Sequence, residues 1–436
     1  MNKKITFITE PNGKLTGTIR VTGDKSMSHR SIMLGALAKG TTKVSGFLNG
    51  EDCLATIKAF REMGVEIEGP EKGNVTIHGV GLKGLKAPIA DLEMGNSGTA
   101  MRLLTGIMVG QDFDASLIGD ASLSTRPMRR ITRPLEQMGA SITTGEGGTP
   151  PLSIKGGNKL SGIHYDLPVA SAQVKSAILL AGLYAEGKTS VTEPAVTRDH
   201  TERMLRGFGY NVVTKGNRMS LQGGGELMAC NIDVPADISS AAFFMVGASI
   251  AKGSDLTLEH VGVNPTRTGV IDILKLMGAN ITLFNQKEVG GEPVADIRIR
   301  SAPLKGIEIP EELVPLAIDE FPSIFIAACF AEGQTVLTGA EELRVKESDR
   351  IQVMADGLLA CGANVTPTPD GIIIQGGTLS GGEVDSHGDH RIAMAFSMAG
   401  LCADGGIVIN DCANVDTSFP NFINIALKTG VNIKCC

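Results

Sequence analysis

The chain of 436 residues repeats one sequence pattern six times. In each copy a polar residue precedes an apolar stretch rich in Ala and Gly, and the stretch ends at a glycine. The six opening residues are Asp24, Asn96, Ser171, Asp237, Asp319 and Asp389. The closing glycines lie 16, 14, 16, 16, 14 and 16 residues later, at Gly40, Gly110, Gly187, Gly253, Gly333 and Gly405. So regular a period predicts one supersecondary unit used six times.

A second helical stretch follows in every copy and also ends at a glycine. These glycines are Gly64, Gly139, Gly209, Gly278, Gly362 and Gly430, within the related segments MGVEI, MGASI, FGYNV, MGANI, CGANV and TGVNI. Each copy therefore predicts a helix, a strand, a second helix and a further strand. The first helix of copy one is predicted at residues 26–38, since its apolar residues follow the helical period. The polar residue before each first helix is predicted to be its N-cap.

The remaining predicted elements come from the same patterns. Short β-branched segments predict strands at residues 41–44, 189–192 and 335–337. Second helices are predicted at residues 53–63, 130–138, 200–208, 270–277 and 348–361. Six copies suggest two compact α/β domains of three copies each, with copy three ending near residues 223–225 and copy four beginning at residues 235–237. An extra strand at residues 4–8 could pair into either half.

Composition excludes several classes of function. The net charge is −7, Trp is absent and aromatic residues make up 4% of the chain, which disfavours nucleic acid or an anionic membrane as partner. We see no signal peptide at the start and no apolar stretch long enough to cross a membrane. The eight cysteines lack metal-ligand spacing, so we expect no metal site and a reducing, cytoplasmic location. The terminal pair, Cys435 and Cys436, is predicted to be mobile and open to oxidation.

The charged residues that differ between the copies are the functional candidates. Copy one has Lys25, Ser26 and Arg30 in the segment GDKSMSHR, at a helix start. Free N–H groups at a helix start attract anions, whereas the helix dipole disfavours cations there. Cationic side chains at this end are therefore expected where they bind the same anion as the N–H groups. The alternative for such a segment is a solvated helix start. The clustering of several such residues favours the anion site.

Copies two and three supply further groups of the same kind. The glycine-rich turn GNSGTAMR contains Gly98, where a ligand could approach the backbone closely, and the loop STRPMRR contains Arg126. Copy three contributes Ser171, Gln173 and Arg198, which could bind phosphate or hydroxyl groups. Ser171 could equally be a plain N-cap.

Copy four contains residues with predicted structural roles, whereas copies five and six contain candidate catalytic and binding residues. In copy four, Asp237 and Ser239 are predicted to be structural and Arg267 to be a surface charge. Copy five differs because it contains both the opening residue Asp319 and a charged loop, ELRVKESDR. This loop includes Lys346, Glu347 and Arg350. A carboxylate beside such cations stays ionised and can act as a general base. Copy six adds Arg391, whereas the neighbouring His390 is given no catalytic role.

These residues together predict a metal-free enzyme that needs no cofactor and acts on small phosphorylated acids. No Walker, dinucleotide-binding, zinc or nucleophile-elbow motif is present in the sequence. The residues alone do not name the acid.

The segments GDKSMSHR, GNSGTAMR, SAQVKSA, RVKESDR and GDHRIAM resemble those of the 5-enolpyruvylshikimate-3-phosphate synthase family, in its class II bacterial branch. The resemblance runs in order over nearly the whole chain. It implies an α/β (α+β) two-domain enolpyruvyl transferase fold of six βαβαββ-type repeats, with the active site in the cleft between the domains. It implies one domain at residues 23–235, on the shikimate 3-phosphate side, and another at residues 1–22 plus 236–436, which carries the catalytic Asp.

The family's reaction moves the enolpyruvyl group of phosphoenolpyruvate to the 5-hydroxyl of shikimate 3-phosphate, through a tetrahedral intermediate, on the shikimate route to chorismate and the aromatic amino acids. By motif match the resemblance implies Asp319 as the base, with Lys25 and Glu347 as the proton-transfer partners. The implied ligands of shikimate 3-phosphate are Lys25, Ser26, Arg30, Ser171, Gln173, Arg198, Asp319 and Lys346. Those of phosphoenolpyruvate are Lys25, Gly98, Arg126, Gln173, Arg350 and Arg391.

The family is the target of glyphosate. Gly98 fits a sensitive site, but Ala100 leaves the sensitivity of this chain undecided.

Two alternatives are kept beside this interpretation. The sister transferase that acts on UDP-N-acetylglucosamine usually has a Cys in the loop that corresponds here to residues 119–130, which contains none. A sixfold-repeat clamp on nucleic acid would spread its basic residues evenly over the copies, and this acidic chain does not. We expect a monomer whose partners are the two small substrates.

Overall fold

A computed structural model describes residues 5–436, which fall into two compact units. The first unit comprises Gly23–Val234 together with Val289–Glu292. The second unit comprises the described residues up to Thr22, Pro235–Glu288 and Pro293–Cys436. Each unit has its own hydrophobic core.

The elements of the first unit follow two short strands of the second, β1 (Phe7–Glu10) and β2 (Thr16–Ile19). The helices of the first unit are α1 Lys25–Leu37, α2 Glu51–Glu62, α3 Gly98–Met108, α4 Arg129–Gln137, α5 Ala172–Gly182 and α6 His200–Gly207. Its strands are β3 Ala38–Ser45, β4 Glu66–Glu71, β5 Asn74–Val80, β6 Leu92–Glu93, β7 Ala115–Ile118, β8 Ser141–Thr144, β9 Leu152–Lys155, β10 His164–Asp166, β11 Lys188–Thr192, β12 Val212–Lys215, β13 Arg218–Gln222, β14 Leu227–Met228 and β15 Asn231–Asp233.

The second unit contains the remaining elements. Its helices are α7 Ile238–Ile250, α8 Gly269–Leu276, α9 Val314–Ala317, α10 Phe321–Cys329, α11 Arg350–Ala360, α12 His390–Ala399, α13 Val415–Ser418 and α14 Phe422–Thr429. Its strands are β16 Asp255–Gly262, β17 Asn280–Val289, β18 Glu292–Arg300, β19 Gln334–Leu337, β20 Asn364–Thr368, β21 Gly371–Gln375, β22 Gly382–Asp385, β23 Ile407–Asn410 and β24 Asn432–Cys435. The six predicted helices are confirmed, with ends displaced by no more than two residues.

The repeat appears as six small sheets; five share one order of four strands, and the sixth has three strands in the order of the last three. They are β14-β3-β5-β4 (with β15 also on β3), β6-β7-β9-β8, β10-β11-β13-β12, β2-β16-β18-β17, β19-β21-β20 and β22-β23-β1-β24. In the third sheet, for example, β10 is parallel to β11, and β13 pairs antiparallel with both β11 and β12. The helices and strands therefore give a mixed α/β fold built from six related units.

The segment before the first repeat completes two sheets of the second unit. Strand β1 lies antiparallel between β23 and β24, with Phe7 opposite both Ile409 and Cys435. Strand β2 pairs parallel with β16, with Gly17 opposite Leu256. The N-terminal strand, which could have joined either half, thus joins the second unit. Residue 4, where this strand was predicted to begin, lies outside the described residues.

The six glycines that end the second helices share one backbone conformation. Gly64, Gly139, Gly209, Gly278, Gly362 and Gly430 have φ values of 84°, 104°, 79°, 93°, 83° and 109°. This left-handed region favours glycine because a Cβ atom would be strained there. The recurring glycine seen in the sequence therefore marks the point at which each copy reverses from its second helix into a strand.

The first helix of each repeat is central in its unit. Helix α3 contacts both α1 and α5, while α10 contacts both α7 and α12. A Cβ on Gly106 of α3 would lie 2.3 Å from the carbonyl oxygen of Ala177 on α5, so these two backbones can approach only at a glycine. Helix α7 is buried along its length except at Ile250.

Within residues 5–436, no helix combines the length and the apolar character that a membrane span requires.

The cysteines divide into six inside the fold and two at its end. Cys53, Cys329, Cys361 and Cys412 are buried, while Cys230 and Cys402 are half-buried. Burial raises the thiol pKa of Cys361 and Cys402 to about 11 and that of Cys412 to about 12. Cys435 and Cys436 are exposed, as expected. The prediction that they are mobile is wrong, because Cys435 belongs to β24 and Cys436 exchanges backbone hydrogen bonds with Thr6.

Candidate active site

The six residues that open the repeats do not all have the same role at the start of the helix. Asp24, Ser171, Asp237 and Asp389 each accept a hydrogen bond from a backbone N–H of the helix that follows, as N-caps do. Two starts differ from the prediction. Ser97 caps α3 in place of Asn96, and Glu320 precedes α10 without a capping bond, so Asp319 is not a cap. Asn96 and Asp319 are therefore available for contacts with other side chains.

Arg30 is a buried cation held by neutral acceptors in the first unit. Its Nε donates to Thr201 Oγ1 at 2.7 Å, its Nη2 to Ser176 Oγ at 2.9 Å and its Nη1 to the carbonyl oxygen of Ser26 at 3.0 Å. Burial lowers the pKa of Arg30 to about 10, an effect that nearby carboxylates oppose and the positive charge of Arg198 reinforces. A bound anion would relieve this crowding of positive charge, so the arrangement suits a phosphate or carboxylate group.

Lys25 lies at the start of the same helix. Its ammonium group forms an ion pair with Asp52, and the lysine side chain remains 22% exposed. Ser26 follows it and contributes its backbone carbonyl to Arg30. Lys25, Ser26 and Arg30 are thus brought together at the N-terminus of α1, as predicted from the segment GDKSMSHR.

Two guanidinium groups meet at the N-terminus of α3. A Cβ on Gly98 would lie 2.9 Å from Nη1 of Arg102 and 3.2 Å from Nη1 of Arg126, so both groups lie beside this glycine. Arg126 Nη2 donates to Asn96 Oδ1 at 2.6 Å. The side-chain carbonyl oxygen of Asn96 therefore helps to keep the Arg126 guanidinium group beside Gly98.

Gln173 joins this group from α5. Its Oε1 accepts from Arg102 Nη1 at 2.7 Å, and its Nε2 donates to Thr99 Oγ1 at 2.9 Å. Arg102 was absent from the set of predicted ligands. The signal that could have found it is its position four residues after Gly98, which places both on one face of α3.

Asp319 is the centre of the charged group in the second unit. Its Oδ1 lies 3.5 Å from Lys346 Nζ and 3.3 Å from Arg350 Nη1, while its backbone oxygen accepts from Arg391 Nη1 at 3.0 Å. The cations of copies five and six therefore converge on one residue, Asp319. This places the Asp319 carboxylate beside two cations and makes it the candidate general base of the second unit.

Arg350 is fully buried and bound by three carboxylates. Besides Asp319, it donates from Nε to Asp389 Oδ2 at 2.8 Å, and from Nη2 to Glu347 Oε2 at 2.7 Å. Burial acts to lower the pKa of Arg350, but the carboxylates around it raise that pKa well above its ordinary value. Burial likewise opposes ionisation of Asp389, yet Arg350 holds the pKa of Asp389 below its ordinary value. The pair is therefore charged on both sides.

Arg267 corrects a prediction made from sequence. It was expected at the surface, but only 3% of it is exposed, and it donates to Ser239 Oγ at 2.6 Å and to Asp237 Oδ1 at 3.2 Å. Ser239 in turn donates to Glu320, the buried residue next to Asp319. This network fixes the chain immediately beside the central carboxylate of the second unit. A charged loop residue gives no local sign of such burial.

His29 links three helices of the first unit as a neutral side chain. Its Nδ1 lies 2.8 Å from Thr56 Oγ1 of α2, and its Nε2 lies 3.4 Å from Oγ of Ser97, the cap of α3. Burial, helped by the positive charges of Lys25 and Arg30, holds the pKa of His29 well below its ordinary value of 6.5.

The pH dependence of stability should therefore contain a contribution from His29. The unfolded chain binds a proton at His29 near pH 6.5 and the folded protein does not, so stability is full above this pH and falls as the pH falls. We expect a slope of about 1.4 kcal/mol per pH unit from this group. Urea unfolding of the protein and of His29→Asn at pH 7.5, 6.0 and 5.0 measures it as the difference between the two slopes. The exposed His78→Gln serves as control, and equal slopes for the protein and His29→Asn would contradict the assignment.

One group of potential metal ligands lies in the described part of the chain. Glu66, Glu68 and His78 on β4 and β5 bring one ligand atom each within 4.8 Å of one another. Both glutamates are exposed, and none of the three is among the predicted site residues. The cluster therefore adds nothing to the two charged groups described above.

Comparison with known proteins identifies the family of the chain. Residues 9–425 match the model of the family described as EPSP synthase (3-phosphoshikimate 1-carboxyvinyltransferase). The 3-phosphoshikimate 1-carboxyvinyltransferase of Methylococcus capsulatus is 66% identical over 99% of both chains, and that of Hydrogenovibrio crunogenus is 65% identical over 99% of both. A solved structure of EPSP synthase from Acinetobacter baumannii has 63% sequence identity and a TM-score of 0.90, and it covers 100% of both chains. The chain therefore belongs to the EPSP synthase family.

Proposed function

We propose that this chain transfers the enolpyruvyl group of phosphoenolpyruvate to the 5-hydroxyl of shikimate 3-phosphate and releases inorganic phosphate. The observation that carries the proposal is Asp319, a carboxylate that contacts Lys346 and Arg350 and whose backbone binds Arg391. The chain is a transferase of the shikimate route to the aromatic amino acids, as its family membership indicates. The second candidate, transfer to UDP-N-acetylglucosamine, is not favoured by any relative reported above.

Asp319 acts as the general base in the proposed reaction. It takes the proton of the 5-hydroxyl as that oxygen attacks C2 of phosphoenolpyruvate, while C3 gains a proton, which gives a tetrahedral intermediate. Loss of a C3 proton then expels phosphate and restores the double bond. Lys25 and Glu347 are the proposed partners in the transfer of the C3 proton. Glu347 is held ready by its 2.7 Å bond to Arg350.

Shikimate 3-phosphate is proposed to bind mainly through the first unit. Its proposed ligands are Lys25, Ser26, Arg30, Ser171, Gln173, Arg198, Asp319 and Lys346. The crowded positive charge of Arg30 and Arg198 supports this, because a phosphate dianion between them would be stabilised by both.

Phosphoenolpyruvate is proposed to bind Lys25, Gly98, Arg126, Gln173, Arg350 and Arg391, and we add Arg102 to this set. Arg102 and Arg126 reach the space beside Gly98, where their guanidinium groups could bind one phosphate or carboxylate. Arg350 already uses four of its five N–H groups on carboxylates. To bind substrate, it would use the remaining N–H group or exchange one of these partners.

We further propose that the enzyme needs no metal or cofactor, is a monomer and acts in the cytoplasm. The proposed reaction is a balanced proton and group transfer with no redox step. Arg, Lys and carboxylate groups supply the charges that it requires.

Phosphate release from the purified protein tests the function. Phosphoenolpyruvate and shikimate 3-phosphate are supplied separately and together, in the presence of a chelator. Release that requires both substrates is the expected result. Release with UDP-N-acetylglucosamine in place of shikimate 3-phosphate would overturn the substrate, and loss of activity on chelation would overturn the metal-free mechanism.

Gly98→Ala should weaken the binding of phosphoenolpyruvate. The new Cβ would force the guanidinium groups of Arg102 and Arg126 to move by a few tenths of an ångström. We expect KM for phosphoenolpyruvate to rise roughly tenfold, with a much smaller change in kcat. Steady-state kinetics measure both, and Gly377→Ala, where a Cβ has no neighbour within 4 Å, is the control. An unchanged KM would argue against phosphoenolpyruvate at this helix start.

A further inference from the structure

Three charged side chains form a buried cluster within the first unit, and the reaction uses none of them. Lys175 Nζ lies 2.8 Å from Glu202 Oε1 and 3.2 Å from Glu193 Oε2. Each of the three side chains is at most 3% exposed. Burying charges costs several kcal/mol per ion, and a buried ion pair adds little net stability over apolar residues of the same volume. Stability alone therefore does not account for the cluster.

The cluster holds the loop that joins β11 to α6. Glu193 accepts hydrogen bonds from the backbone N–H of Thr197 at 3.2 Å and from its hydroxyl at 2.5 Å. Lys175 Nζ donates to the carbonyl oxygen of the same threonine at 3.4 Å. The backbone of Thr197 is thus bound on both sides by charged groups, and the next residue is Arg198.

The same two helices position Arg30. Ser176 follows Lys175 on α5, and Thr201 precedes Glu202 on α6, so both side-chain acceptors of Arg30 are adjacent to a member of the cluster. The hydroxyls of Ser176 and Thr201 also lie 2.7 Å apart. One network therefore fixes the helices that carry the acceptors of Arg30 and the loop that carries Arg198.

We propose that Lys175 and Glu193 are positioning residues for phosphate binding. They hold Thr197, and through it Arg198, in the conformation in which Arg198 and Arg30 together bind the phosphate group of shikimate 3-phosphate. This inference rests on the proposed function, since it assumes that Arg198 is a ligand of that substrate. Neither residue contacts the substrate itself.

Thr197→Val tests the proposal with little change in volume. It removes the hydroxyl that binds Glu193 and leaves the buried charges paired. We expect KM for shikimate 3-phosphate to rise about tenfold, while kcat and KM for phosphoenolpyruvate stay within about twofold. Thr189→Val is the matched control, because the buried Thr189 hydroxyl on β11 has no hydrogen-bond partner. It should change neither KM.

A double-mutant cycle separates positioning from a merely structural effect. Arg198→Gln alone should raise KM for shikimate 3-phosphate, and adding Thr197→Val should raise it no further, because both changes act through one guanidinium group. Glu193→Gln should show the same lack of additivity. Additive effects, or an unchanged KM in Thr197→Val, would overturn the proposal.

The same assays distinguish this proposal from the proposed function. If the unsubstituted enzyme released phosphate only with both substrates and Arg198→Gln raised KM, then additivity would overturn the positioning role alone. If the unsubstituted enzyme released no phosphate with shikimate 3-phosphate, both would be overturned. An unchanged KM in Arg198→Gln would overturn the positioning role and the assignment of Arg198 as a ligand, and it would leave the reaction standing.

Discussion

Replacing Asp319 with asparagine is expected to lower kcat by about 10²–10⁴-fold, the range typical for removal of a general base. Asparagine keeps the size of the side chain but cannot take the proton of the 5-hydroxyl. Because Asp319 also contacts Lys346 and Arg350, the variant should be checked for folding by thermal denaturation. Steady-state phosphate release then gives kcat for the variant and for the unsubstituted enzyme.

Glu342→Gln is the control for this measurement. Glu342 Oε1 lies 3.8 Å from Lys346 Nζ, so the substitution removes a carboxylate from the same lysine and leaves Asp319 in place. We expect it to retain most of kcat. If Asp319→Asn were as active as Glu342→Gln, another group would have to be the base.

The second large effect is expected on stability, from Asp389→Asn. Asp389 is fully buried and binds Arg350 through both carboxylate oxygens, so loss of its charge leaves a buried guanidinium group without the most deeply buried of its three counter-charges. Breaking a buried pair in this way costs about 3–5 kcal/mol. Urea denaturation should show the change as a lower unfolding midpoint. Asparagine can still accept the N-cap bond from Arg391, so the measured change reports mainly the lost charge.

Asp255→Asn provides the comparison with an exposed ion pair. Asp255 binds Arg298 at 2.7 Å, and both side chains are 44% exposed. Exposed pairs of this kind contribute little to stability because solvent screens them, so this variant should unfold close to the unsubstituted protein. Equal losses of stability in the two variants would show that burial does not set the strength of the Arg350 pair.

The six repeats could be predicted from sequence because local chemistry fixes their ends. A glycine with positive φ and a polar cap act within a few residues, and both leave a visible period. Long-range pairing leaves no such period. That β1 would lie between β23 and β24, some 400 residues away in sequence, depends on hydrogen bonds that no local segment specifies.

The candidate site was predictable where charged residues broke the repeat, and less so where burial decided their role. Lys25 stood out because the corresponding positions in the other copies lack a lysine. Asp319 stood out because copy five also contains the charged loop ELRVKESDR, since three other copies open with Asp as well. Arg267 was misjudged because its burial depends on Ser239, 28 residues away in the same copy, and on Glu320, which approaches it from copy five. Ser97 caps α3 in place of Asn96, and no side chain caps α10. The side chains of Asn96 and Asp319 instead bind groups outside these helices.

The distribution of thiols gives a route to selective labelling of the natural sequence. Maleimides react with thiolates, and the buried or half-buried cysteines are shielded, with burial raising the thiol pKa of several of them. The exposed Cys435 and Cys436 follow one another at the end of β24, which is bound to β1. A fluorophore attached at neutral pH should therefore enter at the carboxyl terminus and report on the second unit without any engineered cysteine.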